Sequence, residues 1–223
     1  MIAAIPRSLP RLVASRRAFA LISLFFVASP ALAFNVYTVG GDASCTFTNI
    51  QDAIDAAKAN SGEDYIFIAQ NRTYSNQQLV ISADDVIIEG GFPDCNTFTN
   101  GADTTHLTGT SGHSIFEIEG DSHVGLWNLE LSGASLRTDQ KGGAIYFGGH
   151  GNFSLTNDWI HDNTAGYGGA FAVNPDGPTD VFMQQNLLIG PNTALVQGGA
   201  IRIEGQTTVT AGWSERTAST STG

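Results

Sequence analysis

Positive charge is scarce in this chain of 223 residues, in which ten Lys and Arg face 21 Asp and Glu. Four of the ten (Arg7, Arg11, Arg16 and Arg17) stand near the N-terminus, so residues 34–223 carry six basic and 21 acidic groups and a net charge of −15. Such a surface repels nucleic acid, anionic membrane and polyanionic sugars unless calcium intervenes. Cysteine is nearly missing, with Cys45 and Cys95 alone. Long apolar runs are missing too. The run from Ala18 to Ala28 has 11 residues, short of the roughly 18 to 20 a membrane helix needs. No metal-ligand spacing, phosphate-binding loop or nucleophile motif occurs. Only 14% of residues are charged, yet 26 are glycine and apolar content is ordinary. That combination points to an ordered, turn-rich β protein and away from disorder.

The first 33 residues read as an export peptide. Arginines precede the apolar run, and Ala31-Leu32-Ala33 supplies a small-x-small cleavage signal. Ser15-Arg16-Arg17-Ala18-Phe19 resembles the bacterial twin-arginine motif, but Ala20-Leu21 replaces the usual Leu-Lys, which leaves the general secretory route open as well. Residues 34–223 suffice for one domain with a real core. Export implies an oxidising compartment, where a Cys45–Cys95 bridge is expected. It would close about 51 residues and contribute roughly 4 kcal/mol in the chain-entropy model.

The remainder is organised by repetition. Gly-Gly-Ala occurs at 142–144, 168–170 and 198–200, each time followed by an apolar alternation such as Ile145-Tyr146-Phe147. Asn128, Asn157 and Asn186 are each 29 residues apart. Sliding the chain by the same interval places Phe116 and Ile118 on Ile145 and Phe147, and Leu131 on Ile160 and Ile189. It also sets Asn163-Thr164-Ala165 on Asn192-Thr193-Ala194. Units of three short strands and three turns fit successive coils of a parallel β-helix, whose inward apolar residues stack into one core. In such a stack the three asparagines would form a ladder, each amide donating to and accepting from the next coil.

Ile50, Ala53, Ile54 and Ala57 follow helical spacing, and Thr48 with Gln51 suggests a capping box, so a helix over about 48–59 is expected to plug the N-terminal end. Tyr65–Ile68, Leu79–Ile81 and Val86–Ile88 read as strands of the first full coil. The β-helix domain then runs over 34–205, and 206–223 reads as an incomplete coil or disordered tail, with Thr207–Val209 starting another strand.

The export peptide, the Ile50–Ala57 cap, the "VIIEGGF" coil and the Gly-Gly-Ala repeats together resemble the pectin-lyase-like superfamily. That likeness implies an all-β, single-stranded right-handed parallel β-helix. The repeats, two of them ending in "IHDN" and "IGPN", are similar to those of polymorphic outer-membrane proteins and bacterial β-helix adhesins.

Gly149-His150-Gly151 is also the motif that carries an active-site histidine in polygalacturonases. Inverting hydrolysis, however, takes two carboxyl groups about 6.5–9.5 Å apart. The enzymes that the motif resembles hold them in an Asn-Thr-Asp motif and an Asp pair. Here there is no Asn-Thr-Asp, Asp84-Asp85 comes about two coils early, and Arg202-Ile203-Glu204 places an acid where a substrate-binding lysine would stand. In the 29-residue alignment His150 falls on Asp121, and both read as polar turns with glycines free to adopt positive φ. A lyase would need Arg or Lys as base and cations for the uronate. The basic residues beyond position 33 form no cluster with repeated aspartates. Asp158 and Asp162 could touch one calcium but read as a solvated turn. Trp127 and Trp159 alternate with inward residues, which turns their rings outward, toward a sugar face or a covering loop.

The leading expectation is an exported, non-catalytic β-helix protein with a structural or adhesive role, in the periplasm, at the bacterial cell surface or outside the cell. Its partners would be surface glycans or a host cell surface, with no nucleic acid and no membrane span in the mature chain. Self-association through an open C-terminal coil, and truncation of a longer relative, belong to the same expectation. The alternative is a polysaccharide-degrading enzyme, pectin lyase-like or polygalacturonase-like, active or degenerate, using His150, Asp84 and Asp85.

Overall fold

A computed structural model of the chain describes residues 34–82, 84–101, 103–185 and 187–212. The export peptide, residues 213–223 and Asn186 of the expected ladder lie outside the described residues. The described part is all-β with one short helix, and every pairing between its strands is parallel.

A seven-stranded sheet contains, in spatial order, β1 (Val36–Val39), β2 (Asp64–Ala69), β4 (Asp85–Phe92), β7 (Asp121–Trp127), β10 (His150–Thr156), β14 (Thr179–Gln184) and β18 (Thr207–Ala211). A five-stranded sheet holds β3 (Leu79–Ser82), β6 (Phe116–Glu119), β9 (Ile145–Phe147), β13 (Phe171–Val173) and β17 (Ile201–Ile203). Four strands make a third sheet: β5 (Thr105–Thr108), β8 (Leu129–Ser132), β11 (Trp159–His161) and β15 (Leu188–Ile189). β12 (Thr164–Tyr167) pairs with β16 (Thr193–Gln197). Neighbours in one sheet are distant in sequence. Between β7 and β10 the chain passes through β8 of the four-stranded sheet and β9 of the five-stranded one.

The 29-residue slide reappears as hydrogen-bonded register. Phe116 stands beside Ile145, Asp121 beside His150, Leu131 beside Ile160, and Ile160 beside Ile189. The three Gly-Gly-Ala motifs are aligned too, because Ile145, Phe171 and Ile201 are successive neighbours. Alternate residues of these strands point into a single apolar core, where Val86, Val124, Phe153 and Val181 meet Phe116, Ile145 and Phe171. Phe147 and Phe153, from the five- and seven-stranded sheets, bring their ring centroids to 5.5 Å across it. Burying each such side chain stabilises the fold by about 1.5–3 kcal/mol.

Corners between sheets explain several polar residues. Asn128 and Asn157 each take φ +56°, a left-handed conformation that asparagine tolerates better than most side chains. Asn157 Nδ2 donates to Asn128 Oδ1 at 2.6 Å, and Asn128 Nδ2 donates to Glu89 Oε1 at 3.0 Å. A second asparagine pair lies deeper. Asn163 Nδ2 donates to Asn192 Oδ1 at 3.1 Å, and Asn163 Oδ1 accepts from Ala134 N.

Helix α1 (Ile50–Lys58) buries Ile50, Ala53, Ile54 and Ala57. Its cap differs from expectation. Asn49, not Thr48, is the N-cap, and its side chain accepts from Gln51 N. The Gln51 side chain does not reach back to Thr48; it bonds both backbone groups of Val80 and so ties the helix to β3. Cys45 and Cys95 form the expected disulfide, across 50 residues, joining the segment before α1 to the segment after β4. No helix among the described residues is long and apolar enough to cross a membrane.

Candidate functional site

Strand alternation that points valines and phenylalanines inward turns every second residue of the seven-stranded sheet outward. Parallel register arranges these outward residues in rows. One row reads Asp85, His123, Asn152, Asp180; the next Ile87, Gly125, Ser154, Phe182; the third Glu89, Trp127, Thr156, Gln184. β2 extends the rows with Tyr65 beside Ile87 and Phe67 beside Glu89.

Two adjoining hollows open on this face, and Trp127 lines both. The larger, of about 510 Å³, is otherwise polar, with Glu89, Asn100, Asn128, Thr156, Asn157, Gln184 and Gln185 around it. The smaller, of about 330 Å³, is lined by Glu63, Asp85, Ile87, His123, Gly125, Asn152, Ser154 and Phe182, among others. The indole rests over Gly125, and Trp127 Nε1 points to Ser154 Oγ at 3.4 Å. Toward the β1 edge the face becomes aromatic: Phe67 stacks on Phe92 at 4.3 Å, and Tyr65, Phe34 and Phe98 join edge-on. Phe34 and Phe98 are exposed by about two thirds.

The carboxyl groups of this face are perturbed. Burial pushes Asp85 upward, the neighbouring Glu63 adds to the rise, and His123 opposes it. Burial also raises Glu89, against the amides of Asn100 and Asn128 that donate to it. Glu63 accepts from the Tyr65 hydroxyl at 2.6 Å, and this bond above all raises the tyrosine to about 12.

The residues singled out from sequence are dispersed. Asp85 faces outward beside His123, whereas the Asp84 side chain is buried, accepts from Asp85 N and leaves Oδ2 without a partner. Neither is in register with His150. The carboxylates that do reach His150 are Asp176, with Oδ1 2.8 Å from Nδ1, and Asp121, with Oδ1 3.7 Å from Nε2. Gly151 takes φ +115°, the corner its flanking position suggested. Trp127 and Trp159 occupy different sheets. Trp159 stacks on His161 at 3.9 Å, in a cluster where His161 Nε2 and His106 Nε2 lie 3.1 and 3.6 Å from Glu130 Oε1.

Asp158 and Asp162 do not converge. Asp158 is buried and accepts from Leu129 N and Thr156 N, while Asp162 bonds His161 Nδ1. Among the described residues no group of three His, Cys, Asp or Glu is arranged to hold a metal ion.

Sequence reading missed Lys141 and Arg202, which converge on Glu204. Lys141 Nζ lies 2.8 Å from Oε2, Arg202 bonds Oε1, and the guanidinium sits 4.5 Å above the Tyr167 ring. These two cations hold the Glu204 carboxyl below its ordinary range. No spacing signal marks them, since they come from separate strands and loops. No family model, curated protein or solved structure matches this chain.

Proposed function

We propose that this chain is an exported, non-catalytic parallel β-helix protein that binds glycan at the outward face of its seven-stranded sheet, in an adhesive or structural role at or beyond the bacterial cell surface. The β-helix is supported by sheets whose successive strands are reached only after the chain has visited the others, and by the 29-residue register. The right hand is taken from the pectin-lyase-like resemblance. In this architecture α1 plugs one end of the stack.

The observation that carries the glycan reading is the half-exposed indole of Trp127 between two hollows whose walls are rich in amides and carboxylates. A sugar ring offers an apolar face to stack on such a platform, while its hydroxyls need side chains able to donate and accept. Asn, Gln, Thr and Ser supply both.

Titration of the purified chain against an array of neutral, acidic and amino-sugar oligosaccharides tests the reading. Trp127→Ala is expected to weaken the best binder at least about tenfold, near 1.4 kcal/mol, whereas Trp159→Ala, on another sheet, leaves it unchanged. Binding indifferent to Trp127, or none at all, would remove the proposal.

One observation favours a second reading, cleavage of the bound glycan. Glu63 and Asp85 lie side by side, and the raised Asp85 suits a general acid. Release of new reducing ends, abolished by Asp85→Asn, would replace the non-catalytic reading.

A further inference from the structure

We infer that the glycan held on this face bears free amines: an amino sugar whose ammonium is received by Glu63 and Asp85. The inference rests on the glycan reading above and names its ligand class. None of the seven strands contains a lysine or arginine. The outward rows instead present Asp85, Glu89, Asp121 and Asp180, with Glu63 beside the first strand of acids. A polyuronate would place its carboxylates against these, with no cation of the chain to receive them.

An ammonium finds the opposite. Asp85 and Glu63 line the same hollow, whose floor is apolar at Ile87 and Gly125 and whose walls include Trp127 and Phe182. Mutual repulsion and burial raise Asp85 in the free chain, and a cation between the two acids relieves that repulsion. Exposed aromatic faces add attraction for the same charge, because the face of an aromatic ring is its negative side. Pairing in a half-buried hollow also loses less to solvent screening than pairing on an open surface. Recognition therefore divides into two parts: Trp127 holds the sugar ring, whatever its substituents, and Glu63 with Asp85 selects the amine.

Glucosamine oligomers and their N-acetylated counterparts share one ring and differ in this charge, so they isolate the second part. Calorimetric titrations would compare them with oligogalacturonate at about pH 6, where amines of this class are protonated. The expected order is glucosamine oligomer, about tenfold tighter than the N-acetyl form, with oligogalacturonate weakest. The preference should shrink as salt rises. The paired Glu63→Gln and Asp85→Asn variant should lose the preference while keeping the N-acetyl oligomer at wild-type strength, which also shows that it is folded. Equal or tighter binding of the N-acetyl or galacturonate oligomers would overturn the amine assignment and leave the glycan site standing. The same holds for a preference that survives the paired substitution. Failure of every oligosaccharide on the wider array to bind would overturn the site itself and this inference with it.

Discussion

Gly125 has no side chain, and its neighbours occupy the space one would need. A Cβ there would stand 3.0 Å from Trp127 Nε1 and 3.2 Å from both Ile87 Cγ1 and Ser154 Oγ. Ile87 is buried, whereas Trp127 is half-exposed and can lift. Gly125→Ala is therefore expected to tilt the indole off its seat and weaken glycan binding roughly five- to tenfold, with about 1 kcal/mol of destabilisation from overpacking. Titration alongside a urea melt checks both effects. Asp158 offers a second test at this scale. Its two carboxylate oxygens satisfy two backbone N–H groups, at Leu129 and Thr156, within a buried corner. Asp158→Ala leaves both donors unpaired and should cost roughly 2–5 kcal/mol, read from the denaturation midpoint. Asp158→Asn keeps one acceptor and should cost less. From sequence, Asp158 reads as one half of a solvated turn; only the chain 29 residues earlier, folded against it, makes it an internal acceptor.

At the scale of elements, apolar spacing reveals the helix face because Ile50, Ala53, Ile54 and Ala57 all turn inward. The cap is harder to read, since Thr48 and Asn49 are both good N-cap residues and tertiary contact decides between them. The site of decision is β3: Gln51 is held by Val80 and cannot complete a capping box. The Cys45–Cys95 bridge belongs to this scale, and Gly40 packs against it, with space for no side chain between the two sulfurs and Ala69. Reduction is expected to lower the unfolding free energy by about 4 kcal/mol, measured as a shift in guanidinium midpoint with and without reductant.

Across the whole molecule, the raised carboxyls set how stability responds to pH. Asp158, Asp84, Asp85 and Glu89 all have folded values above their ordinary ones, mainly through burial. A folded chain that holds protons more tightly than the unfolded chain loses stability as pH rises from the ordinary carboxylate range, about 4, up through the folded values, and levels off above them. Glu204 acts in the opposite sense. Its lowered value contributes stability above the ordinary range that is lost as pH falls through the folded value. The chain should therefore resist denaturant better near pH 5 than near pH 8; chemical melts across that interval would show it, and an increase toward pH 8 would contradict it.

The sequence by itself determined which residues face the core and which repeat stands on which. Period-two alternation and a 29-residue interval are local, one-dimensional signals, and hydrogen-bonded register repeats them directly. Only the tertiary structure decided what lies on the outward face. Asp85, His123 and Asn152 become neighbours because three strands from separate repeats lie side by side, and turns of unequal length between them erase any fixed interval. His150 illustrates the same division. Its alignment with Asp121 could be read along the chain, but its second partner, Asp176, comes from the longer turn before β14 and had to be brought there by folding.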